Sequence, residues 1–189
     1  YTVFTAVPTI YFSLIEKLEK TDEAEIFNGF KKLRLMMSGS AALAPEIHKK
    51  WEALTGQKIL ERYGMTEVGM ALSNKIDGER RPGAVGEPLP NVEIKLEDES
   101  GNEVTKEGEI GQILLKGPQV FKGYQNLPEK TKESFKDGWF LTGDVAVMEA
   151  GYYRLLGRES IDIIKSGGYK ISALEIEDVL LKNQNIKEC

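Results

Sequence analysis

Short apolar runs alternate with helix-forming segments in the first third of the chain, and this alternation constrains the fold more than any other feature. The runs predict strands at residues 1–7, 33–37 and 58–60. A helix is predicted after each of the first two strands, beginning at Pro8 and at Pro45, and Gly56 ends the second helix. Because strands that alternate with helices form mainly parallel sheets, the sequence predicts an α/β fold whose ligands lie beyond the carboxyl ends of the strands.

After the first third the pattern changes, and hairpins are predicted to dominate. Alternating apolar residues and glycine-containing turns indicate antiparallel strands over residues 92–156. A new strand-to-helix unit begins just after Arg158, where a finished hairpin gives way to a β-branched run and a glycine pair. We therefore predict a domain boundary that separates residues 1–158 from residues 159–189. The last helix is predicted to bury Leu174, Ile176, Val179 and Leu180.

Composition and charge exclude several classes of function. Apolar residues make up 41% of the 189 residues, enough to bury a core, and no apolar run approaches the roughly 18 residues of a membrane span. The net charge of −5, without a basic block, disfavours a nucleic-acid surface. A single histidine and a single cysteine, Cys189, exclude an internal disulfide and disfavour a zinc site. Because the chain opens at Tyr1 without a Met or signal pattern, we expect a fragment whose targeting segment, if any, has been lost.

The most informative motif is ERYGMTE, residues 61–67, which follows the third predicted strand. In one turn it offers an aromatic face at Tyr63, close backbone approach at Gly64, a hydroxyl at Thr66 and a carboxylate at Glu67. These groups suit a nucleotide and its metal ion. Alone, the motif fits a structural turn equally well, because strands that end in a glycine turn commonly carry a Tyr and a Glu.

Four further stretches suit a nucleotide, although each also has a structural explanation. Small side chains from Ser38 to Ala42 let a flat ligand lie on the backbone, or serve only a tight strand-to-helix loop. Asp144, after a glycine, is able to accept two hydrogen bonds from a ribose, or to cap a β-turn. Arg158 is able to donate to the same ribose or to phosphate, or to lie free on the surface. The run Lys165–Gly168 suits a phosphate or a narrow chain, or a glycine-pair turn.

The order of these motifs resembles that of the adenylate-forming enzymes, a superfamily that comprises acyl-CoA synthetases, luciferases and the adenylation domains of peptide synthetases. The motifs are, in order, SGSAAL, ERYGMTE, GEIGQILLKG, GWFLTGD and GRESIDIIKSGGYKISALEIE. Their joint occurrence is specific and covers essentially the whole chain. The finer resemblance is to acyl-CoA synthetases of the malonyl-CoA synthetase type. It rests on VPTIY at residues 7–11, RLMMSGSAAL at residues 34–43, and ERYGMTE followed by Gly69 and Met70.

The resemblance implies a fold and a reaction. The fold would be the C-terminal part of a large N-terminal domain, a parallel-type sheet with helices plus a β-rich subdomain, followed by the start of a small α+β domain. The reaction would join a carboxylic acid to ATP with Mg²⁺ and then transfer the acyl group from the acyl-adenylate to coenzyme A. Malonate or another short dicarboxylate is the implied acid, and Arg34 or Arg81 is a candidate partner for its second carboxylate. A mitochondrial or cytoplasmic location is also implied.

The resemblance further implies roles for single residues. The implied nucleotide-binding residues are Ser38, Gly39, Ser40, Ala41, Ala42, Arg62, Tyr63, Gly64, Met65, Thr66, Asp144 and Arg158. Tyr63 would stack on adenine opposite the small-residue loop, and Asp144 would bind the ribose hydroxyls with help from Arg158. Thr66 would bond the α-phosphate and Glu67 would hold Mg²⁺, which makes these two the candidate catalytic residues.

Family members rotate their small domain about a hinge just after the position of Arg158. Here the hinge segment is one residue longer than the commoner pattern, so either Ser160 or Asp162 is the pivot. Gly167 and Gly168 would line the path of the pantetheine arm of coenzyme A. The phosphate loop and the late lysine of the family fall outside this sequence, which predicts that the chain alone is inactive. Two other functions stay open: an adenylation domain that loads a carrier protein, and a non-catalytic nucleotide-binding relative.

Overall fold

The computed structural model describes residues 2–20, 24–167, 169–183 and 185–186, and within them the predicted α/β architecture is confirmed. The first sheet contains β1 (Val3–Ala6), β2 (Leu35–Ser38), β3 (Leu60–Met65), β4 (Gly69–Ser73) and β5 (Glu87–Pro88), in that spatial order. β1, β2 and β3 pair in parallel, whereas β4 and β5 extend the sheet in antiparallel fashion. The parallel part therefore carries the predicted ligand edge.

The helices α1 (Pro8–Leu18), α2 (Ala24–Lys31) and α3 (Pro45–Thr55) accompany this sheet. A proline begins both α1 and α3, as predicted, because its fixed φ suits the first helical turn and its missing N–H has no partner there in any case. Gly56 ends α3 in the left-handed conformation, with φ of 72°, and donates its N–H to the Glu52 carbonyl. The sequence patterns predict helices only at Pro8 and Pro45 in this part of the chain, so α2 is a helix that the prediction missed.

Aromatic side chains join these helices to the first sheet. Trp51 of α3 is fully buried and lies edge-to-face against Tyr11 of α1 and Phe30 of α2, with ring centroids 5.0 Å apart in both pairs. The Tyr11 hydroxyl donates to the Met37 carbonyl at 2.9 Å, which ties α1 to β2. Edge-to-face aromatic packing of this kind adds to the free energy gained from burial alone.

The second sheet is entirely antiparallel. Its strands are β6 (Glu93–Glu97), β7 (Glu103–Val104), β8 (Gly111–Lys116), β9 (Phe135–Lys136), β10 (Trp139–Glu149) and β11 (Tyr152–Arg158), and the short helix α4 (Pro128–Glu133) precedes β9. The spatial order is β11-β10-β8-β6-β7, with β9 paired to β10. The prediction of a hairpin-rich second half is therefore confirmed.

One apolar core joins the two sheets. It combines Val68 and Leu72 from the first sheet region with Ile113, Leu115 and Phe140 from the second. The backbones also meet, because Val85 donates its N–H to the Tyr153 carbonyl and Tyr153 donates to the Gly86 carbonyl. The ends of β3 and β10 are thereby held in a fixed relation to each other.

A separate hairpin of β12 (Ile163–Ser166) and β13 (Tyr169–Ser172) follows Arg158 and leads to α5 (Ala173–Leu180). The Ser172 side chain caps α5 by accepting from the Glu175 N–H. The predicted burial along α5 is wrong for Ile176, Val179 and Leu180, which are exposed, whereas Leu174 is half-buried. No helix in the described part of the chain is both long and apolar enough to cross a membrane.

Candidate functional site

The carboxyl ends of β2 and β3 bring two of the predicted stretches to one edge of the first sheet. Ser38, the last residue of β2, lies opposite Glu61 of β3 in the parallel register. The small-residue loop therefore leaves the sheet beside the ERYGMTE motif, which continues from β3 into the turn at residues 66–68. This is the edge at which parallel sheets bind their ligands.

Three predicted residues from the two sheets form one hydrogen-bonded cluster. The Tyr63 hydroxyl donates to Oδ2 of Asp144 at 2.6 Å, and Nε of Arg158 donates to Oδ1 at 3.0 Å. Burial raises the pKa of Tyr63 well above its usual value, and the Asp144 carboxylate raises it further, so the hydroxyl stays protonated as a donor. Because each carboxylate oxygen is able to accept a second hydrogen bond, Asp144 retains capacity for a diol such as a ribose.

A bulge in β10 aims Asp144 at this edge. The pairing of β10 with β8 shifts register between Leu141 and Val145, and Gly143 within the bulge has φ of 75°, a conformation that favours glycine. The Thr142 hydroxyl donates to the Ile113 carbonyl at 2.8 Å and accepts the Asp144 N–H at 3.0 Å. The Thr-Gly-Asp sequence is therefore a strand bulge that presents a carboxylate, rather than the β-turn considered as its alternative.

The small-residue loop packs closely against Arg62. A Cβ added to Gly39 would lie 2.7 Å from Cζ of Arg62, so only glycine fits this position without a shift of the guanidinium. Ser38 is 1% exposed, whereas Ser40, Ala41 and Ala42 are exposed, and Ser40 has a left-handed φ of 72°. The buried Ser38 and Gly39 thus anchor the loop, and the three residues after Gly39 face outward, where a flat ligand is able to lie on them.

A small cavity of about 20 Å³ lies under this loop, with Ser38, Ala42, Glu61, Arg62 and Gly83 among its lining residues. The Ser38 Oγ and the Arg62 Nε are buried and have no hydrogen-bond partner among the described residues. Buried polar atoms normally have partners. These two atoms are therefore available to a ligand group or an ordered water.

Of Arg34, Arg62 and Arg81, it is Arg62 that faces the candidate site. Arg34 is exposed and precedes β2, at the end of the strand opposite Ser38. Arg81 forms an ion pair with Glu79 at 3.0 Å and stacks on the Tyr152 ring at 3.9 Å. No hydrogen bond or ion pair from a described residue reaches the Arg62 guanidinium, which makes it the free cation beside the loop.

The sequence does not reveal a buried pair beneath the motif. His48 of α3 and Glu61 of β3, 0% and 3% exposed, are joined by a 2.8 Å hydrogen bond between Nδ1 and Oε1. The Gly83 N–H also donates to Oε1 of Glu61 at 2.9 Å. Burial raises the pKa of Glu61, although His48 and Gly83 oppose this effect by stabilising its charged form. Glu61 thus connects α3, β3 and the loop before β5, and only the tertiary structure brings these three together.

Thr66 and Glu67 lie in the tight turn that connects β3 with β4. Thr66 is exposed, and Glu67 is half-buried with Oε1 accepting the Tyr124 hydroxyl at 2.9 Å. Oε2 of Glu67 has no hydrogen bond to a described residue, so one carboxylate oxygen is free. No cluster of three or more His, Cys, Asp or Glu side chains occurs within the described residues. A single free carboxylate suits Mg²⁺, which binds one or two carboxylates together with substrate phosphates.

Backbone contact explains the glycine of the motif. A Cβ on Gly64 would overlap the Gly69 carbonyl oxygen across the β3–β4 hairpin. The next residue, Met65, places its sulfur 3.7 Å from the Tyr63 hydroxyl. Gly64 is therefore required by the hairpin itself, and Met65 supports the tyrosine of the Asp144 cluster.

The predicted hinge and coenzyme A residues lie beyond the two sheets. Asp162 accepts the Arg158 N–H at 2.7 Å and donates its own N–H to the Arg158 carbonyl at 2.8 Å, whereas Ser160 is exposed in the same turn. Gly167 has φ of 58° with open space around it, so the β12–β13 turn accounts for this glycine. Gly168 lies outside the described residues.

Known proteins resemble the chain over nearly its whole length. Residues 1–125 match the family described as AMP-binding enzyme. The chain is 52% identical to a malonate–CoA ligase of Arabidopsis thaliana, over 100% of this chain and 31% of that protein. It is 45% identical to the Bos taurus protein named malonate–CoA ligase ACSF3, mitochondrial, over 98% of this chain and 36% of that protein. The chain spans about a third of the length of these relatives.

Solved structures show the same likeness. ATP-bound MatB from Rhodopseudomonas palustris superposes with a TM-score of 0.86 at 44% identity, over 96% of this chain and 35% of that chain. A malonyl-CoA ligase ternary product complex with methylmalonyl-CoA and AMP superposes with a TM-score of 0.77 at 42% identity, over 99% of this chain and 40% of that chain.

Proposed function

Because the chain belongs to the AMP-binding enzyme family, we propose that it is part of an ATP-dependent acyl-CoA synthetase. The observation that carries this proposal is the cluster of Tyr63, Asp144 and Arg158 at the carboxyl edge of the sheet. The cluster joins an aromatic ring to a carboxylate with free acceptor capacity, which are the groups that an adenosine needs. The names of the relatives, malonate–CoA ligases, support the same reaction class.

The nucleotide would occupy the edge formed by the small-residue loop and the ERYGMTE turn. Adenine would lie between the Tyr63 ring and the backbone of residues 38–42, with the backbone of Arg62, Gly64 and Met65 beside it. The ribose would bond Asp144 and Arg158, and the exposed Thr66 hydroxyl would donate to the α-phosphate. These contacts fix the α-phosphorus for attack by a substrate carboxylate oxygen, which expels pyrophosphate and leaves an acyl-adenylate.

Glu67 would hold the metal ion through its free Oε2. When bound, Mg²⁺ neutralises phosphate charge and thereby favours approach of the negative carboxylate. The protein's own contribution is to hold the Glu67 carboxylate at the turn beside Thr66. Neither residue needs to transfer a proton, because the attacking carboxylate is already ionised at neutral pH.

The acid is proposed to be malonate or another short dicarboxylate, with Arg62 binding its second carboxylate. Arg62 lines the cavity under the loop and has no partner among the described residues, whereas Arg34 is exposed at the opposite strand end and Arg81 is occupied by Glu79 and Tyr152. A guanidinium is suited to a planar carboxylate, which it is able to bind through two parallel hydrogen bonds.

For the second half-reaction, the coenzyme A thiol would attack the acyl carbon and expel AMP. We propose that residues 1–158 belong to the AMP-binding domain and residues 159–189 to a small domain that turns between the two steps. The turn between Arg158 and Asp162, which contains Ser160, would be the pivot, and Gly167 and Gly168 would lie along the path of the coenzyme A arm. A mitochondrial or cytoplasmic location, without a nucleic-acid partner, completes the proposal.

The decisive experiment is a coupled assay of the full-length protein with ATP, coenzyme A and one of four acids: malonate, methylmalonate, acetate or a long-chain acid. Turnover of malonate with release of AMP is expected. Turnover of the long-chain acid alone would refute the dicarboxylate assignment. Adenylation without transfer to free coenzyme A would favour a domain that loads a carrier protein, and absence of adenylation would favour a non-catalytic relative.

Arg62→Met tests the assignment of the second carboxylate. Removing one partner of a close charge pair costs about 2 kcal/mol or more, so kcat/KM for malonate should fall at least about 30-fold. Any residual turnover of acetate, which has no second carboxylate, should be unchanged. The matched control is Arg34→Met, an exposed arginine at the other end of β2, which should leave both values unchanged. An equal loss for malonate and acetate would mean that Arg62 serves the nucleotide instead.

A further inference from the structure

Glu67 is held by a segment of the chain that lies outside its own motif. The Tyr124 hydroxyl donates to Oε1 of Glu67 at 2.9 Å, and the Phe121 N–H donates to the Glu67 carbonyl at 2.7 Å. The first contact fixes the carboxylate and the second fixes the backbone. Residues 121–124, between β8 and α4, therefore determine where the carboxylate of the ERYGMTE turn points.

Tyr124 is itself fixed by its neighbours. Its N–H donates to Oγ1 of Thr131 in α4 at 2.9 Å, and its ring lies edge-to-face against Phe121 with centroids 4.8 Å apart. A Cβ on Gly123 would lie 2.5 Å from the Thr131 methyl group, so only glycine allows this close approach to α4. The Lys130 ammonium lies 4.7 Å from the centre of the Tyr124 ring. The hydroxyl is thus presented by a ring that has little freedom to turn.

The chemistry of this contact suits a carboxylate that receives a cation. A tyrosine hydroxyl is a neutral donor, so it orients the Glu67 carboxylate without cancelling its charge, as a lysine or arginine would. It occupies Oε1 only and leaves Oε2 free. Partners that orient a metal ligand in this way commonly change metal affinity by about 10- to 100-fold when they are removed.

We infer that Tyr124 is a positioning residue that orients the Glu67 carboxylate for the Mg²⁺ carried by the nucleotide. The inference rests on the proposed function, because it assumes that Glu67 meets a metal–nucleotide complex. Tyr124 touches neither the nucleotide nor the metal and acts through Glu67 alone.

The test measures nucleotide binding without turnover. The full-length protein is titrated calorimetrically with α,β-methylene-ATP, once with Mg²⁺ and once with EDTA. The affinity with Mg²⁺ divided by the affinity in EDTA measures how much the metal ion strengthens nucleotide binding. Tyr124→Phe should lower that ratio about tenfold and leave the affinity in EDTA unchanged. Tyr153→Phe is the matched control, because Tyr153 is a half-buried residue whose hydroxyl has no hydrogen bond to a described residue, and the change should leave the ratio unchanged.

A double-mutant cycle with Glu67→Gln separates positioning from simple support of the fold. If Tyr124 acts through Glu67, then Tyr124→Phe should have no further effect in the Glu67→Gln protein. An equal loss in both backgrounds, or an unchanged ratio in the single variant, would overturn the inference. Absence of any nucleotide binding by the unaltered protein would instead refute the proposed function. The thermal unfolding midpoint of each variant shows whether it folds.

Discussion

Replacing Tyr63 by Phe tests whether the tyrosine hydroxyl holds Asp144 for the nucleotide, because the change removes one oxygen and keeps the ring. The lost hydrogen bond is 2.6 Å long and joins a neutral donor to a carboxylate. Such bonds contribute about 1.5–3 kcal/mol. The Asp144 side chain is 14% exposed, so water is able to replace part of the lost bond, and Arg158 still holds the other oxygen. We therefore take the lower end of this range, about 1.5 kcal/mol. If the whole of this loss falls on the binding free energy, the affinity for ATP decreases roughly tenfold.

Calorimetric titration of the full-length protein with ATP in EDTA measures this loss without turnover. The four proteins to compare are the wild type, Tyr63→Phe, Asp144→Ala and the double variant. Because the Tyr63 hydroxyl is expected to act through the carboxylate, Tyr63→Phe should weaken binding about tenfold in the wild-type background. It should have no effect in the Asp144→Ala background. The control Tyr153→Phe should bind ATP as the wild type does.

Two results would refute this reasoning. An equal loss in both backgrounds would mean that the hydroxyl contacts the nucleotide directly or that it supports the fold in general. A loss of less than about twofold, equivalent to about 0.4 kcal/mol, would mean that the bond between Tyr63 and Asp144 contributes little in solution. Thermal unfolding of Tyr63→Phe distinguishes a local effect on the site from a general loss of stability.

Two further predictions concern stability. Burial raises the pKa of Glu61 above its ordinary value of 4.5, which means that the folded protein favours the protonated carboxyl. The stability that this preference adds is fully present below pH 4.5 and is lost as pH rises through the folded-state pKa. The free energy of unfolding of the wild type relative to Glu61→Gln should therefore fall across that window, as urea unfolding at successive pH values would measure. Gly64→Ala, whose Cβ would overlap the Gly69 carbonyl oxygen, should lower the free energy of unfolding by about 1–3 kcal/mol. Gly29→Ala, in open space on α2, should raise it by up to about 1 kcal/mol, and thermal unfolding of both variants would test the contrast.

The local patterns of the sequence predicted the parallel strands and the proline-initiated helices, because these signals are carried by neighbouring residues. α2 escaped prediction although Ile26, Phe27 and Phe30 have helical spacing in the sequence, because Asn28 and Gly29, which stand between Phe27 and Phe30, have low helix propensity. The predicted burial along α5 failed for a different reason. An apolar stripe such as that of Ile176 and Val179 indicates which face of a helix is suited to packing, but it does not show that another element covers that face.

The candidate site was predictable only where a motif carries its own chemistry. Asp144 and Tyr63 were identified by their motifs, but the bulge that aims Asp144 depends on pairing with β8 and cannot be read from three residues. The contacts made by Tyr124 and His48 were not predicted, because each joins residues far apart in the chain. The sequence motifs assign Arg62 to the nucleotide and leave only Arg34 or Arg81 for the second carboxylate, so the role proposed for Arg62 rests on its surroundings in the structure.

The bond between Tyr63 and Asp144 has a consequence for the order of folding. It joins residues 81 positions apart and bridges the first sheet, which is mixed, to the antiparallel second sheet. Contacts of such long sequence separation form late, because the intervening chain loses much of its freedom before they are made. We therefore expect the ability to bind a nucleoside to appear only after both sheets have formed and docked. Retention of ATP would then report that the two sheets have reached their native arrangement.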